Sequence, residues 1–309
     1  MKYIEIKSTV IFAIACSIAL ALASTGPAAA EGSEFSVDGY VGLEHEDNIT
    51  VTEIDAETNE GDWAAILELG AEYEVEIGEK NTLSFGYDFN MSEQFDLSDF
   101  DQQIHGANAT FERDIGGINA GLTYQFFYAR LGGEGLLDMH RVSPFITVFP
   151  TKKLFIRAAY TYKDKDLKNR TARDAETHMG EISGFYFIDG TDTFASLGYR
   201  YEDEDAFADE FDFEAHVFKA GIDTRLPFGG EKNRFEIDVT YEIRDYSAVT
   251  PSIGEVRDDD RLTVDVSWEV PFNELLFGRV GYRYRDFSSN LPSADFSENL
   301  VSFGIGFEY

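Results

Sequence analysis

The strongest constraint on the fold is an alternation of apolar and polar residues along most of the chain. Between residues 67 and 77 every odd position is apolar or aromatic, whereas every even position is Glu or Gly. Because successive side chains of a β-strand point to opposite faces, this period predicts strands with one apolar and one polar face. No convincing helical period appears beyond residue 31. The alternation recurs in Leu83–Phe89, Ile118–Phe126, Leu154–Tyr162, Phe235–Ile243 and Leu262–Val270.

The connectors between these segments alternate between tight turns, such as Gly78–Asn81 and Pro271–Glu274, and longer polar loops. Six turns and seven loops join about 14 strands, an even number, as single-chain bacterial membrane barrels have. We therefore predict an all-β fold for residues 31–309, a transmembrane antiparallel up-and-down β-barrel with both ends on the side of the short turns. The longer loops are expected near residues 46–62, 92–101, 131–138, 164–176, 203–211, 245–260 and 286–298.

A soluble β-sandwich is the alternative, since alternation fits any sheet with one wet face. Strands of about ten to fourteen residues exceed the usual soluble length of about five or six, but they match a tilted crossing of the hydrocarbon layer. The apolar parity is also uniform from segment to segment. These features favour the barrel.

Residues 1–30 have the order of a secretory signal peptide. Two lysines precede an apolar run over residues 10–23, and the small residues Ala28 and Ala30 stand just before Glu31. A basic start, an apolar middle and a small-x-small exit are typical of a cleaved signal, the alternative being a retained transmembrane helix. We predict that the mature chain begins at Glu31.

The charge balance excludes nucleic acid as a partner. The chain has 25 Lys and Arg against 58 Asp and Glu, a formal net charge of -33. Such a surface repels phosphate backbones, whose binding requires neutralisation by Lys and Arg. The mean hydropathy of -0.26 is too polar for a bundle of membrane helices.

The last nine residues form an alternating strand whose apolar positions include Phe303, Ile305, Phe307 and Tyr309. This ending resembles the terminal insertion signal of Gram-negative outer-membrane β-barrels. The resemblance implies a place in the outer membrane, among its lipid and lipopolysaccharide, and recognition by the barrel assembly machinery.

A wider resemblance covers most of the mature chain. The segments 39–48 and 289–299 look like those of β-barrel porins and of the carboxy-terminal barrel of surface lipoprotein assembly modifiers. Those modifiers help lipoproteins to cross the outer membrane and carry a periplasmic tetratricopeptide-repeat domain before the barrel. Here only residues 31–34 precede the first strand, so this resemblance implies a surface lipoprotein cargo and a periplasmic partner that supplies the repeats.

The sequence lacks the common motifs of enzymes and cofactor-binding proteins. The sequence contains no phosphate-binding Gly loop, no Cys/His zinc spacing, no Gly-x-Ser-x-Gly and no His-Glu-x-x-His. The acidic residues from Glu202 to Glu214 lack the Gly-punctuated spacing of a calcium loop, so a diffuse cation atmosphere is favoured over a metal site. We predict no enzyme activity, no cofactor and no metal.

Four histidines, His105, His140, His178 and His216, fall near the starts of four downward strands on the apolar parity. They are interpreted as an interfacial girdle of amphipathic rings on the outward face, together with Trp63. The alternative is a hydrolase site in the barrel wall. His45 lies at a loop edge and has no evident partner in the sequence.

The inward parity carries polar and charged residues, which are costly in a dry interior unless they are paired. Either water fills the lumen or neighbouring strands pair their charges, as Asp265 and Glu269 would with Arg279 and Arg283. The lumen-facing candidates are Glu68, Glu72, Asp88, Arg141, Arg157, Arg200, Lys219, Asp265, Glu269, Arg279 and Arg283.

Two main functions are compatible with such a barrel. The leading hypothesis is a passive channel for small hydrophilic solutes, because the inward parity is polar and no long loop is expected as a plug. The second is a barrel component of surface lipoprotein export or assembly, and a barrel-wall hydrolase is the minor third. Carboxylates at the mouth, among them Asp55 and the Glu202–Glu214 cluster, predict a cation preference.

Overall fold

The computed structural model describes residues 32–228 and 231–309 and contains a closed antiparallel barrel of 14 strands. The predicted barrel and its strand count are thus confirmed, whereas the predicted cleavage at Ala28, Ala30 and Glu31 lies outside the described residues. Two further strands, β2 and β3, form a short hairpin in the first loop. In chain order the strands are β1 (Ser33–Glu46), β2 (Thr50–Val51), β3 (Ala56–Glu57), β4 (Asp62–Ile77), β5 (Asn81–Gln94), β6 (Gln102–Asp114), β7 (Ile118–Leu131), β8 (Glu134–Thr151), β9 (Leu154–Leu167), β10 (Ala175–Asp189), β11 (Thr193–Ala206), β12 (Phe213–Phe228), β13 (Glu231–Thr250), β14 (Glu255–Pro271), β15 (Leu276–Ser289) and β16 (Phe296–Glu308).

The ring closes where β1 pairs with β16. Gly39 lies opposite Phe307 and Leu43 lies opposite Phe303. Val37 and Tyr309 exchange two backbone hydrogen bonds of 2.9 and 2.8 Å. Every barrel strand therefore has a partner on both sides, which removes the open edges that a flat sheet would expose.

The outward face of the wall is apolar. Leu122, Ile146 and Leu197 are 48, 51 and 70% exposed. Most other exposed large hydrophobic side chains of the strands lie on the same outward face. A continuous band of exposed apolar side chains around the barrel is unfavourable in water and favourable against lipid. Among the described residues no helix has the length and hydrophobicity needed to cross a membrane.

Two of the predicted loops are mostly strand. The loop expected at 131–138 is a two-residue turn, Gly132–Gly133, whose φ angles of 56° and 83° favour glycine. The loop expected at 245–260 belongs largely to β13 and β14. These predictions were wrong because strands that extend beyond the membrane have polar residues on both faces, so pairing continues where alternation ends.

The seam between β1 and β16 is closely packed around Tyr40. A Cβ at Gly304 would lie 2.8 Å from Tyr40 Cζ, and one at Gly42 would lie 2.9 Å from the Tyr40 hydroxyl oxygen. Glycine at both positions lets the ring lie flat along the inward wall. The Arg279 guanidinium carbon stands 3.7 Å from the centroid of this ring.

Candidate functional site in the lumen and at the outer mouth

One arc of the inward face is acidic. We define the acidic wall as Asp38, Glu44, Glu68, Glu72 and Asp88, carried by β1, β4 and β5. On these strands the alternation directs glutamates and aspartates inward and apolar residues outward. Asp38 and Asp88 both lie opposite Gly70 in the register, so two carboxylates face each other across a residue without a side chain.

A second arc of the inward face is basic. We define the basic wall as Arg141, Arg157, Lys163, Lys165 and Arg200, carried by β8, β9 and β11. The ammonium groups of Lys163 and Lys165 donate to one carboxylate, that of Glu204, at 3.1 and 2.6 Å. The two walls occupy different arcs of the ring, so opposite charges face each other across the lumen.

The structure brings four of the predicted lumen residues together around Glu181. Lys219 donates to Glu181 at 3.1 Å, and Arg200 lies 3.9 Å from the same carboxylate while pairing with Glu202 at 2.5 Å. Arg141, Arg157, Arg200 and Glu181 line one cavity of about 300 Å³. The alternation predicts Arg141, Arg157 and Arg200 on the inward face, but nothing in the sequence predicts that they share one cavity with Glu181.

The predicted pairing of β14 with β15 is half correct. Arg283 donates to Asp265 at 2.5 Å, as expected. Arg279 lies opposite Glu269 in the register, yet its guanidinium donates to Glu68 of β4 at 2.7 Å. The closest cation to Glu269 is Arg234, at 3.8 Å. Arg279 reaches β4 because the two glycines at the seam leave room for it to lie across the Tyr40 ring.

Glu72 and Asp88 remain without a counter-ion. Glu72 lies opposite Ser36 and Gly86, and Asp88 lies opposite Gly70 and Gly106. Within the described part of the chain, no Lys or Arg nitrogen is within ion-pair distance of either carboxylate. Both are predicted lumen residues, and both carboxylates are unpaired on the inward face.

The first loop folds inward over the outer mouth, and we call residues 47–61 the lid. Val51, the last residue of β2, is 4% exposed and packs in one cluster with Ala129, Leu137 and Leu167. These three residues belong to β7, β8 and β9 and have the inward parity of their strands. The lid therefore reaches across the mouth from β1 toward a distant arc of the ring.

A charged cluster holds the other side of the lid. Arg257 of β14 donates to the two carboxylate oxygens of Asp55 at 2.9 and 3.0 Å, and Arg173 donates to the same carboxylate at 2.6 Å. Arg257 also donates to Asp259 and is 2% exposed. Burial raises the pKa of Asp55, but the hydrogen bonds and charges of Arg257 and Arg173 outweigh it and hold the pKa below its usual value.

The lid is also tied to the closing strand. The hydroxyl of Thr50 donates to the carboxylate of Glu298 on β16 at 2.8 Å, and Arg285 of β15 pairs with that carboxylate at 2.7 Å. The expectation that no long loop would fold into the barrel was therefore wrong. The available signal was the spacing of Ile49, Val51 and Ile54, three apolar residues in an otherwise acidic loop.

The four predicted histidines lie on the outward face, each hydrogen-bonded to a tyrosine of the preceding strand. The Tyr hydroxyl oxygen and the His Nδ1 are 2.5 to 2.8 Å apart in the four pairs. Tyr241 with Asp260 and Tyr282 with Asn299 repeat the geometry on β13–β14 and β15–β16. We call these six pairs the outer belt, and the histidine pairs are Tyr87–His105, Tyr124–His140, Tyr160–His178 and Tyr199–His216.

On the remaining hairpin, between β1 and β4, His45 makes a ring contact in place of a belt pair. Its ring packs edge-on against Trp63 of β4 with 5.0 Å between centroids, so the expectation that it has no partner was wrong. Amphipathic rings at this position suit the boundary between lipid and water.

The acidic residues of β11 alternate between the inward and the outward face of the strand. Glu202 and Glu204 are buried inward and paired with basic residues, whereas Asp203 and Asp205 have the outward parity. In the residues that the structure describes, no group of three or more His, Cys, Asp or Glu side chains could hold a metal ion.

Comparisons with known proteins identify the fold alone. No family model matches the chain, and no curated protein matches it, so the resemblance to surface lipoprotein assembly modifiers receives no support. Similar solved structures include a loop L8 deletion mutant of OmpT, an outer membrane protein of Vibrio cholerae, with 10% identity, a TM-score of 0.53, and coverage of 90% of this chain and 100% of that one.

Two further structures share this architecture. An anion-selective porin from Comamonas acidovorans has 9% identity and a TM-score of 0.51, covering 90% of this chain and 100% of that one. OmpF of Salmonella typhi, in complex with daunomycin, has 10% identity and a TM-score of 0.53, covering 90% and 98%. The chain thus has the barrel architecture of outer-membrane porins.

Proposed function

We propose that this protein is a porin-like channel in the outer membrane of a Gram-negative bacterium, through which small hydrophilic solutes diffuse passively. The observation that carries the proposal is the charged inward face, on which Arg141, Arg157, Glu72 and Asp88 have no counter-ion within the described part of the chain. Each unpaired charge in a dry interior costs several kcal/mol of stability. Because the free energy of unfolding of a whole domain is small, a dry interior could hold only one or two such charges. A water-filled lumen accounts for all of them.

The outward face supports the membrane location. Its apolar band ends at the outer belt, where rings with polar tips meet the headgroup level of lipopolysaccharide. The alternating terminal strand gives the barrel assembly machinery a segment to recognise during insertion. No catalytic group is required by this function, and the belt histidines act as interfacial residues.

Planar-bilayer recording tests the channel. The refolded barrel should give stepwise currents, and a variant in which residues 50–57 are replaced by a short Gly-Ser linker should give larger steps, because the lid no longer crosses the mouth. A matched shortening of the turn at residues 251–254, which lies between β14 and its neighbour β13, is the control and should leave the steps unchanged.

Folded wild-type and lid-shortened barrels that both pass no current would contradict the channel. That result would favour the second function, a barrel component of surface lipoprotein export, which needs a cargo or a periplasmic partner in place of a permanent pore.

A further inference from the structure

We infer that Arg141 and Arg157 form a binding site for the carboxylate of a small organic acid. The site deepens the proposed channel function and rests on it, because a solute reaches these residues through the lumen. Two free guanidinium groups lie in one cavity beneath the lid, and the other residues that line this cavity fit an organic acid.

Arg141 lies in the cavity with its hydrogen-bonding capacity unused. Its Nε is buried and has no hydrogen-bond partner among the described residues. Glu181 and Glu202 are the two carboxylates whose charges act on Arg141, and they are already bound by Lys219 and Arg200 respectively. A buried guanidinium nitrogen without a partner is costly, and a ligand oxygen would remove that cost.

Arg157 is oriented but unpaired. Its guanidinium carbon lies 4.7 Å from the centroid of the Phe145 ring, which orients the group without using its hydrogen bonds. In the part of the chain that the structure describes, no carboxylate pairs with it. Two such planar groups match the planar, bidentate geometry of a carboxylate better than lysines would.

The rest of the lining fits the body of an organic acid. The hydroxyls of Ser143 and Thr161 lie 2.8 Å apart and bond to each other, which leaves further acceptor capacity for a solute hydroxyl. Ala159 and Met179 supply an apolar surface for carbon atoms. That surface favours a carboxylic acid over inorganic phosphate, and a cavity of about 300 Å³ is at the small end of ligand pockets.

The cavity lies directly below the lid contact. Leu137, on which Val51 rests, Met139 and Arg141 are successive inward residues of β8. A solute that passes the lid therefore meets the cavity next, and Arg141 is the cavity arginine nearer to the lid. Lys163 lies opposite Arg141 and Lys165 opposite Met139, but both lysines are occupied by Glu204. The two arginines of the cavity are therefore the basic-wall cations that remain available to a solute.

Titration with sodium gluconate, a hydroxylated monocarboxylate, tests the site. Binding is measured by calorimetry on the folded, detergent-solubilised barrel and by block of single-channel current, with glucose as the neutral probe and sodium phosphate as the inorganic anion. Gluconate should bind and block, glucose should do neither, and Arg141→Gln or Arg157→Gln should weaken gluconate binding about tenfold, the value expected when one charged hydrogen bond is lost.

Two further variants separate recognition from general charge. Arg141→Lys keeps the charge and removes the planar fork, so it should also weaken binding. Arg283→Gln removes a lumenal charge that is paired with Asp265 outside the cavity, so it should leave gluconate binding unchanged. Folding of every variant is checked by the gel mobility of unheated samples.

The outcomes distinguish this site from the channel itself. Calorimetric binding that depends on the arginines, in a barrel without conductance, would support the site and contradict the channel. A conducting barrel that binds no gluconate would overturn the site alone. Equal binding by Arg141→Lys and wild type, equal loss in Arg283→Gln, or tighter binding of phosphate would each overturn carboxylate recognition by these two arginines.

Discussion

The outer belt and the lid both lie near the outer mouth, but they are built in opposite ways. The belt repeats one diagonal contact between neighbouring strands, as in Tyr124 with His140 and Tyr199 with His216. The lid is a single loop whose contacts reach three separate arcs of the ring, at Leu137, Arg257 and Glu298. Redundant local contacts therefore hold the wall together, whereas a few long-range contacts hold the lid over the mouth.

This difference decides how each region responds to a mutation. Loss of one belt pair leaves the other pairs in place, whereas loss of Asp55 removes the only lid carboxylate bound by both Arg173 and Arg257. The wall should therefore fail only when its closure or its apolar face is broken. The mouth and lumen should change their conductance while the barrel stays folded.

The largest effect is expected when closure of the wall is broken. Deleting Phe307–Tyr309 removes the register pairs of Phe307 and Glu308 with β1 and both backbone bonds of Tyr309 to Val37. Insertion should fail, because two strand edges are left open in lipid. Unheated gel samples give the readout, since a folded barrel and a boiled chain migrate differently.

Deletion of Gly32–Glu34 is the matched control. It removes three residues at the other end of the closed domain, outside the register between β1 and β16. That variant should keep the mobility shift. A carboxy-terminal deletion that also kept it would show that closure does not depend on these residues.

The wall was predictable from the sequence because its rules are local. Parity places Leu122 outward and Thr123 inward, and connector lengths determine which strands are neighbours, so strand count, closure and the outward histidines follow. The partners of the lid were not predictable, since Asp55 and Arg257 are 202 residues apart and neither belongs to a recurring pattern. The same holds for Arg279, whose partner Glu68 is 211 residues away although Glu269 lies opposite it.

The second effect compares the two faces of one strand. Leu122 is exposed on the outward face, and Leu122→Arg should destabilise the folded barrel by about 2 to 4 kcal/mol, the cost of a cation near the middle of the lipid layer. Thr123 lines the arginine cavity, so Thr123→Arg should insert normally. Urea-unfolding midpoints in lipid vesicles measure both, and equal losses would indicate a dry interior in place of a lumen.

The third effect concerns the lid and leaves the wall intact. Asp55→Asn removes the negative charge that binds Arg173 and Arg257, and it should weaken the closed lid by about 1 to 3 kcal/mol, as loss of hydrogen bonds to charged groups does. The expected result is a larger mean current at neutral pH with an unchanged gel shift. Asn keeps the shape of Asp, so packing of Val51 is not disturbed directly.

A pH series provides an independent check on the lid. The pKa of Asp55 is lowered by its arginines, so its contribution to the closed lid is complete above the ordinary value of about 4 and is lost as pH falls through the lowered value. Wild-type current should therefore rise as pH falls below the ordinary value of about 4 and through the lowered pKa of Asp55, and this step should be absent in Asp55→Asn. A step of the same size in both proteins would show that contacts other than those of Asp55 hold the lid closed.

The smallest effect is ion selectivity, because the two walls oppose each other. Glu72 and Asp88 are unpaired on the acidic wall, whereas Asp55, predicted as a free mouth carboxylate, is neutralised by two arginines. Arg141 and Arg157 add unpaired positive charge on the other arc. We therefore expect a mild cation preference that weakens as salt shortens the Debye length to about 10 Å at 0.1 M. Reversal potentials across a salt gradient measure it.

The double variant Glu72→Gln, Asp88→Asn tests which wall sets this preference. Removing two unpaired carboxylates should shift the reversal potential toward anions, while Asp265→Asn, whose charge is already paired with Arg283, should shift it less. Anion selectivity in the wild type would not contradict the channel function, but it would show that the basic wall determines the electrostatic field in the lumen. In that case Arg141→Gln, and not the acidic double variant, should move the reversal potential most, because the free charge that faces the solute would then be the guanidinium.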